Sequence, residues 1–332
     1  MSRFHQAVIE AGLEDYFIVP KWAAGAMSPA RGLLALARFL VRAHFDIVHL
    51  DAFDACYLVC AFRLLGGLKK AVVVFTLRSD RYHRFNFVDR FFLSHVNRLV
   101  TNSDYSRREI FERTGIAALV HYSPIDLRML SDRVKALDSK STPPKTRRTI
   151  SYVGALEPRK NLSFFIDVAE ALLSDSDHYE FHVYGLAKSD EGLRYLDRAK
   201  SKLTVKGAAA VHFKGYVPVA EAIHATDVLL CPFINEPMGR VVPEFLYCGR
   251  KVVVSSSGGL TEAGLGYAAT YDGDSLESCL SAIRNLDFAD LGGSFDRDLE
   301  PMKRELLTRY SNENSAAMDD AIYKSAAVAV AG

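Results

Sequence analysis

Glu236 and Glu244 lie eight residues apart in the stretch CPFINEPMGRVVPEFLYCGRKVVVSSSGGLTE, Cys231–Glu262. An apolar run ending at Pro232 reads as a buried strand, a loop then carries Glu236 and Gly239, and a helix carries Glu244. That order puts two carboxylates and the unpaired amides of a helix start at the mouth of a sheet. Helix starts attract phosphate through those amides and the dipole, and a carboxylate a turn or two further in can accept hydrogen bonds from a ribose diol. Taken alone, two glutamates at this spacing are usually surface charge. A second stretch, YVGALEPRKN (Tyr152–Asn161), runs from a strand into a turn with adjacent Arg159 and Lys160. Two cations where a strand meets the next helix can neutralise a diphosphate, bidentate from Arg and point-like from Lys. An isolated Arg-Lys pair more often faces solvent.

The elements that would position these residues follow an alternating rhythm. Strands are expected at Thr149–Leu156, Glu180–Gly185, Val211–Val217, Asp227–Phe233 and Lys251–Ser255, with helices at Leu162–Ser174, Glu191–Leu203 and Val241–Cys248. Near-continuous apolar runs bounded by turn residues belong to strands covered on both faces, and their alternation with helices implies βαβ units and a parallel sheet. The first half repeats the rhythm more faintly, with strands expected at Tyr16–Pro20, Asp46–Leu50, Ala71–Leu77, Arg98–Asn102 and Ala118–Tyr122 and a helix starting near Ser106. The polar stretch Ser139–Arg148, with its Pro-Pro pair, has the composition of a linker. The division expected is a Rossmann-like domain over residues 1–138, a linker over 139–148, a second Rossmann-like domain over 149–312, and a closing helix over 313–332.

At this point the motifs match a known pattern. Glu236 and Glu244, with Gly239 between them, Gly249 after them, and the following Gly258-Gly259-x-x-Glu262, resemble the Glu-x7-Glu signature of the retaining group 1 glycosyltransferases. The Gly154-to-Asn161 turn is similar to the strand-Gly-x-Leu-x-Pro-Arg-Lys-Asn turn of the same family. The resemblance implies a GT-B fold, α/β with two Rossmann-like domains facing across a cleft, and a nucleotide-diphosphate sugar as donor. It implies a chemical role for Arg159, Lys160 and Glu236, and donor contacts at Gly154, Gly185, Val217, Gly239, Arg240, Val241 and Glu244. It also implies retaining, metal-independent transfer to a carbohydrate or lipid-linked acceptor, with no cofactor, in polysaccharide or glycolipid synthesis. The closing helix would return to the first domain. The chain departs from the family by opening on a helical pattern, Ser2–Leu13, so the first domain is expected to lack its usual first strand and glycine-rich loop. A catalytically inactive, nucleotide-sugar-binding or scaffold subunit is the alternative that this departure keeps open.

Composition bounds the rest. The chain has 332 residues, 49% of them hydrophobic and 24% charged, enough for two cores without a metal or disulfide staple. Five cysteines in largely apolar segments read as buried thiols of a reducing compartment, and Cys56 and Cys60 lack the neighbours a zinc site needs. No signal peptide or spanning segment is visible, so a cytoplasmic protein is expected. Residues 1–147 carry 22 Lys and Arg against 14 Asp and Glu, and the remainder 19 against 26. A basic first half suits an anionic neighbour. The Arg/aromatic stretch Arg78–Arg98 could lie on the inner face of an anionic membrane, although a helix with an aromatic core face and a solvated Arg face is the favoured reading. No nucleic-acid-binding signature accompanies it. On the acceptor side the candidates are His49, Asp51, Arg78 and His83, against the plainer reading of His49 as a packed residue.

Overall fold

The computed structural model describes residues 46–68, 71–139, 147–286 and 299–331. The helical opening, the strand expected at Tyr16–Pro20 and the question of a missing first strand lie outside them, as does most of the stretch 139–148. The chain forms two compact units, Met1–Pro124 with Asn312–Gly332, and Ile125–Ser311.

The first unit holds a parallel sheet in the order β1 (Ile47–Leu50), β2 (Val72–Leu77), β3 (Arg98–Thr101), β4 (Ala118–Val120). Every residue of β2 is buried, because both faces of the sheet are covered. Val73, Phe75 and Leu77 pack into a core with Phe53, Cys56, Val59 and Cys60 of the helix Phe53–Leu64. The alternate residues Val72 and Val74, with Val100, meet Ile322 and Tyr323 from the long terminal helix Asn312–Ala331. That helix therefore completes the first unit from the far end of the sequence.

The second unit is a six-stranded parallel sheet. Its strands are β5 (Arg148–Val153), β6 (Tyr179–Tyr184), β7 (Val211–Gly215), β8 (Val228–Cys231), β9 (Lys251–Ser255) and β10 (Ala269–Tyr271), in spatial order β10-β9-β8-β5-β6-β7. The first two crossovers carry the chain outward from β5, and the third returns it to the opposite side of β5. The strand order reverses between β5 and β8, and a crevice opens at the carboxyl ends of strands where such a reversal occurs. Those two ends carry the Arg159-Lys160 turn and the Glu236 loop.

One expected boundary moves. The helix Leu127–Asp138, assigned from sequence to the first domain, belongs to the second unit. It buries Leu127, Leu130 and Val134 and packs on the helices Val219–Ala225 and Val241–Tyr247. Its last residue, Asp138, accepts from Arg250 at 3.1 Å and pairs with His224 at 2.6 Å. The apolar stripe and this clamp outweigh the linker composition beyond them, so the units divide at Pro124. The other described strands and the helices placed from sequence fall within a few residues of their expected positions, but the three-residue β10 and the helices Val205–Ala210, Val219–Ala225, Leu260–Ala263 and Leu276–Arg284 have no sequence counterpart. Among the described residues, no helix is long and apolar enough to cross a membrane.

A fragment starting at Ile125 should unfold as a cooperative body. One starting at Arg147 forfeits three buried aliphatic side chains, about 5 kcal/mol as an upper estimate. It should melt lower by roughly 10 °C or more. Equal melting of the two fragments by circular dichroism would return the boundary to the polar stretch.

Candidate functional site

Three segments of the second unit meet at the switch point. The first leaves β5 through Gly154, makes a one-turn 3-10 helix at Pro158–Lys160, and enters the helix Leu162–Asp175 through Asn161. Asn161 sits in the left-handed region at φ 51°, which turns the chain sharply enough to leave Arg159 and Lys160 projecting from a tight loop. The second is the loop after β8 that carries Glu236. The third is the Gly258-Gly259 turn after β9. Backbone bonds stitch them together: the Ile234 amide donates to the Arg159 carbonyl at 2.8 Å, and the Gly259 amide to the Glu236 carbonyl at 2.7 Å. Ser255 Oγ donates to the Phe233 carbonyl at 2.8 Å.

Close approach demands glycine here. A β-carbon on Gly258 would lie 2.5 Å from the Glu236 backbone, and one on Gly185 would lie 1.8 Å from the Gly154 carbonyl oxygen. Both residues also have positive φ, 75° and 147°.

Within this frame the side chains expected to act on a diphosphate meet the carboxylate expected near a sugar. Lys160 Nζ donates to Glu236 Oε2 at 2.8 Å, and a guanidinium nitrogen of Arg159 binds the same oxygen. The other arm of Arg159 donates to Glu157 Oε1 at 3.1 Å. Lys160 also stands 4.0 Å above the Phe233 ring, whose face favours a cation. Burial by itself would raise the Glu236 carboxyl, but Lys160, and then Arg159, outweigh it and hold the group below the ordinary carboxylate range. The two cations are thus fixed in direction by a carboxylate 76 residues further along the chain.

The remaining donor-side candidates surround this core. Gly154 and Gly185 lie at the carboxyl ends of β5 and β6, and Val217 follows β7. Gly239, at φ 74°, would put a β-carbon 2.4 Å from Leu260. It leads through exposed Arg240 and half-buried Val241 into the helix Val241–Tyr247. Glu244 sits in the first turn of that helix, 13% exposed, with Arg240 4.0 Å away. Sequence reasoning missed Glu157, Phe233, the left-handed turn at Asn161, and Asn235, which sits at φ 49° in the Glu236 loop with its amide on Ser257 Oγ at 2.8 Å. The two asparagines carried a signal, since Asn is the side chain that best tolerates left-handed backbone in a turn.

In the first unit, His49 is half of a buried polar network. Its Nδ1 lies 2.6 Å from the Tyr323 hydroxyl and its Nε2 2.6 Å from Thr76 Oγ1. Burial, then Arg78 and His121, push its pKa down to about 4, so the ring is neutral near pH 7. With both nitrogens engaged, His49 serves as a packed strut between β1, β2 and the terminal helix. Asp51 and Arg78 follow β1 and β2 and are exposed. Since those strands are parallel neighbours, both residues lie at one edge of the sheet. His83 lies tilted against the Tyr82 ring, 4.6 Å between centroids, and faces Glu109 at 3.7 Å, on the short helix between β2 and the helix Phe87–Leu93. Tyr323, and the neighbouring buried pair His121 and Asp319 at 3.9 Å, were missed because Tyr323 and Asp319 arrive on the helix Asn312–Ala331.

Comparison with known proteins places this geometry. Residues 147–286 match the family described as Glycosyl transferases group 1. Over 186 residues the chain is 29% identical to the D-inositol 3-phosphate glycosyltransferase of Geodermatophilus obscurus, covering 52% of this chain and 40% of that protein. The match therefore spans well under half of the relative's length. Among solved structures, Anabaena HepE in complex with UDP and glucose superposes with a TM-score of 0.72 at 17% identity, covering 90% of this chain and 83% of that one. An α,α-trehalose-phosphate synthase from Burkholderia vietnamiensis gives a TM-score of 0.72 at 14% identity, over 91% and 76% of the two chains. The likeness is one of fold: two Rossmann-like α/β units in sequence.

Two measurements test the electrostatics. Glu236→Gln leaves two cations without their carboxylate and should cost about 2 kcal/mol near pH 7. Because the folded carboxyl is depressed, that contribution is present above the unfolded value near 4.5 and fades as the pH falls below it, so the two denaturation curves should converge in acid. For His49 the folded value is depressed below 6.5. Its contribution is present above pH 6.5 and drains away towards pH 4, and His49→Gln should flatten that part of the stability profile.

Proposed function

We propose that this chain, whose residues 147–286 match the group 1 glycosyltransferases, is a member of that family and transfers a sugar from a nucleotide-diphosphate donor to a hydroxyl acceptor. The observation that carries the reading is the Arg159-Lys160-Glu236 cluster at the strand-order reversal. Two preorganised cations beside a crevice suit the charge that develops on a departing diphosphate.

The reaction proceeds with retention. The acceptor oxygen attacks the anomeric carbon from the face that the diphosphate leaves. The C–O bond to the diphosphate breaks with its electron pair going to the phosphate, and a phosphate oxygen takes the acceptor's proton. Positioning and charge stabilisation then supply most of the rate, with no metal or cofactor needed for the chemistry. Lys160 and Arg159 stabilise the leaving group, and Glu236 aims them. Glu244 receives the ribose hydroxyls, while Gly154, Gly185 and Gly239 let the donor approach the backbone. UDP is the first nucleotide to test, since HepE is described in complex with UDP and glucose.

The acceptor reading rests on the first unit. On the helix Phe87–Leu93, Phe87 is 80% exposed, and Val88 and Phe91 are 49% and 42% exposed. Arg84 and Arg90 are exposed beside them, while the only acid of the helix, Asp89, is buried against Tyr57 and Arg81. An apolar and cationic helix face of this kind suits contact with anionic lipid at the membrane's inner surface. That supports a lipid-linked or membrane-borne carbohydrate acceptor, in polysaccharide or glycolipid synthesis.

Thermal unfolding against UDP, GDP, ADP and their sugars is the first test. Specific binding adds about 2.7 kcal/mol of stability at a hundredfold excess over Kd. One nucleotide class should raise the melting temperature, and Glu244→Ala should abolish the rise. A flat panel from folded protein would sink the donor site and leave the inactive-subunit reading. With the donor identified, Lys160→Ala should lower kcat on the order of 100–1,000-fold with a smaller change in donor affinity. Comparable losses in both would make Lys160 a binding residue only. Separately, the protein should co-sediment with anionic vesicles, and the pair Phe87→Ser and Phe91→Ser should release it. Vesicle binding that survives those changes would remove this helix from the membrane reading.

A further inference from the structure

Away from the switch point, three side chains on one face of the second sheet converge. Glu180, His182 and Tyr184 alternate along β6 and so share a face. His212 on β7 is the register partner of His182. One ligand atom from each of Glu180, His182 and His212 lies within 4.8 Å of the others. His182 Nε2 is 3.2 Å from Glu180 Oε1, and the two imidazole rings stand 5.6 Å apart at a steep angle. Ligand atoms bound tetrahedrally at about 2.0–2.1 Å are themselves about 3.3 Å apart, so one edge of such a site already has its length.

The surroundings are those of a built site. The Tyr184 hydroxyl lies 3.1 Å from His182 Nδ1, which fixes the ring and turns Nε2 towards Glu180 and His212. Thr149 Oγ1 donates to Glu180 Oε1 at 3.1 Å and orients the carboxylate. Tyr184, on the outer nitrogen of His182, is the kind of partner that raises a metal ligand's basicity and holds its geometry, while Thr149 holds the Glu180 oxygen that faces His182. His182 is buried, while Glu180 and His212 are half-exposed, and β7 is the edge strand among the described residues, which leaves the group open to an ion from solvent. Two imidazoles and one carboxylate suit zinc better than magnesium or calcium, which take all-oxygen sets.

We propose that Glu180, His182 and His212 form a zinc site that ties the edge strand β7 to β6. It occupies the amino half of those strands, the end away from Gly185 and Gly215, so the ion is structural and takes no part in sugar transfer. The group contains no cysteine, and Cys56 and Cys60 lie in the core of the first unit.

The test uses the untagged full chain, stripped with chelator and desalted. Zinc alone should bind at one equivalent and raise the melting temperature, with no rise from magnesium or calcium. Cobalt alone should give the visible d–d absorption of a four-coordinate nitrogen and oxygen site. His212→Gln, on the half-exposed edge, should lose at least tenfold in zinc affinity, and Tyr184→Phe about 10–100-fold through the ring it orients. His178→Gln, an exposed neighbour of β6, should bind as the parent does. A featureless cobalt spectrum with less than about a tenth of an equivalent of retained zinc overturns the proposal and leaves an ordinary Glu–His pair. Thiolate charge-transfer bands, or undiminished zinc binding by His212→Gln, overturn it equally. Should His182→Ala fail to fold, the parent's cobalt spectrum and the His212→Gln titration decide the matter.

Discussion

The geometry of the second unit depends on a single shared oxygen. Glu236 Oε2 accepts from both Lys160 and Arg159, which come from a turn 76 residues earlier in the chain. Side chains as long as Arg and Lys lose considerable rotamer freedom when they are held, and a lone surface pair rarely repays that loss. Here the backbone does much of the holding first. The Ile234 amide on the Arg159 carbonyl and the Gly259 amide on the Glu236 carbonyl fix the loops before the charges meet. The carboxylate then settles two cations in one direction, with Phe233 beneath Lys160 closing the remaining side. The glycines follow from the same closeness: at Gly185 and Gly258 another segment's backbone occupies the space of a β-carbon.

This arrangement also explains which parts of the site could be read from the sequence. Arg159, Lys160, Glu236, Glu244 and the loop glycines stand at strand ends, where residue type and local order carry the signal. That Glu236 bonds the two cations could not be read, because it depends on strand order. β5 and β8 are neighbours only because the third crossover returns past β5, and no local spacing records that. The same limit hid the Glu180-His182-His212 group, whose third member is 30 residues from the second and meets it only through strand register.

The fold was legible where its pattern was local. Strands buried on both faces announce themselves as β-branched runs, and nine of the ten strands among the described residues lay where such runs predicted them. β10, three residues with Thr270 exposed, has too little apolar length to stand out. The helix Leu127–Asp138 was assigned to the wrong unit because composition marks where a chain is polar, whereas packing decides where it is attached. Asp138 bonded to His224 and Arg250 is a tertiary fact with no local trace. His49 illustrates the converse: a histidine at a strand end looks available, yet Tyr323 and Thr76 occupy both of its nitrogens.

The terminal helix gives the first unit an unusual relation to time. Its sheet is made early, but the face formed by Val72, Val74 and Val100 is covered by Ile322 and Tyr323, which leave the ribosome only after the whole second unit. The second unit has all its residues once Ser311 has been synthesised. Vectorial synthesis thus reverses the usual order in which the leading domain matures first. A nascent chain presents a β-branched sheet surface throughout the translation of nearly two hundred intervening residues, which makes that surface the natural client of a holding chaperone. Termination between Ser311 and Ile322 would release a finished second unit joined to an unsealed first one.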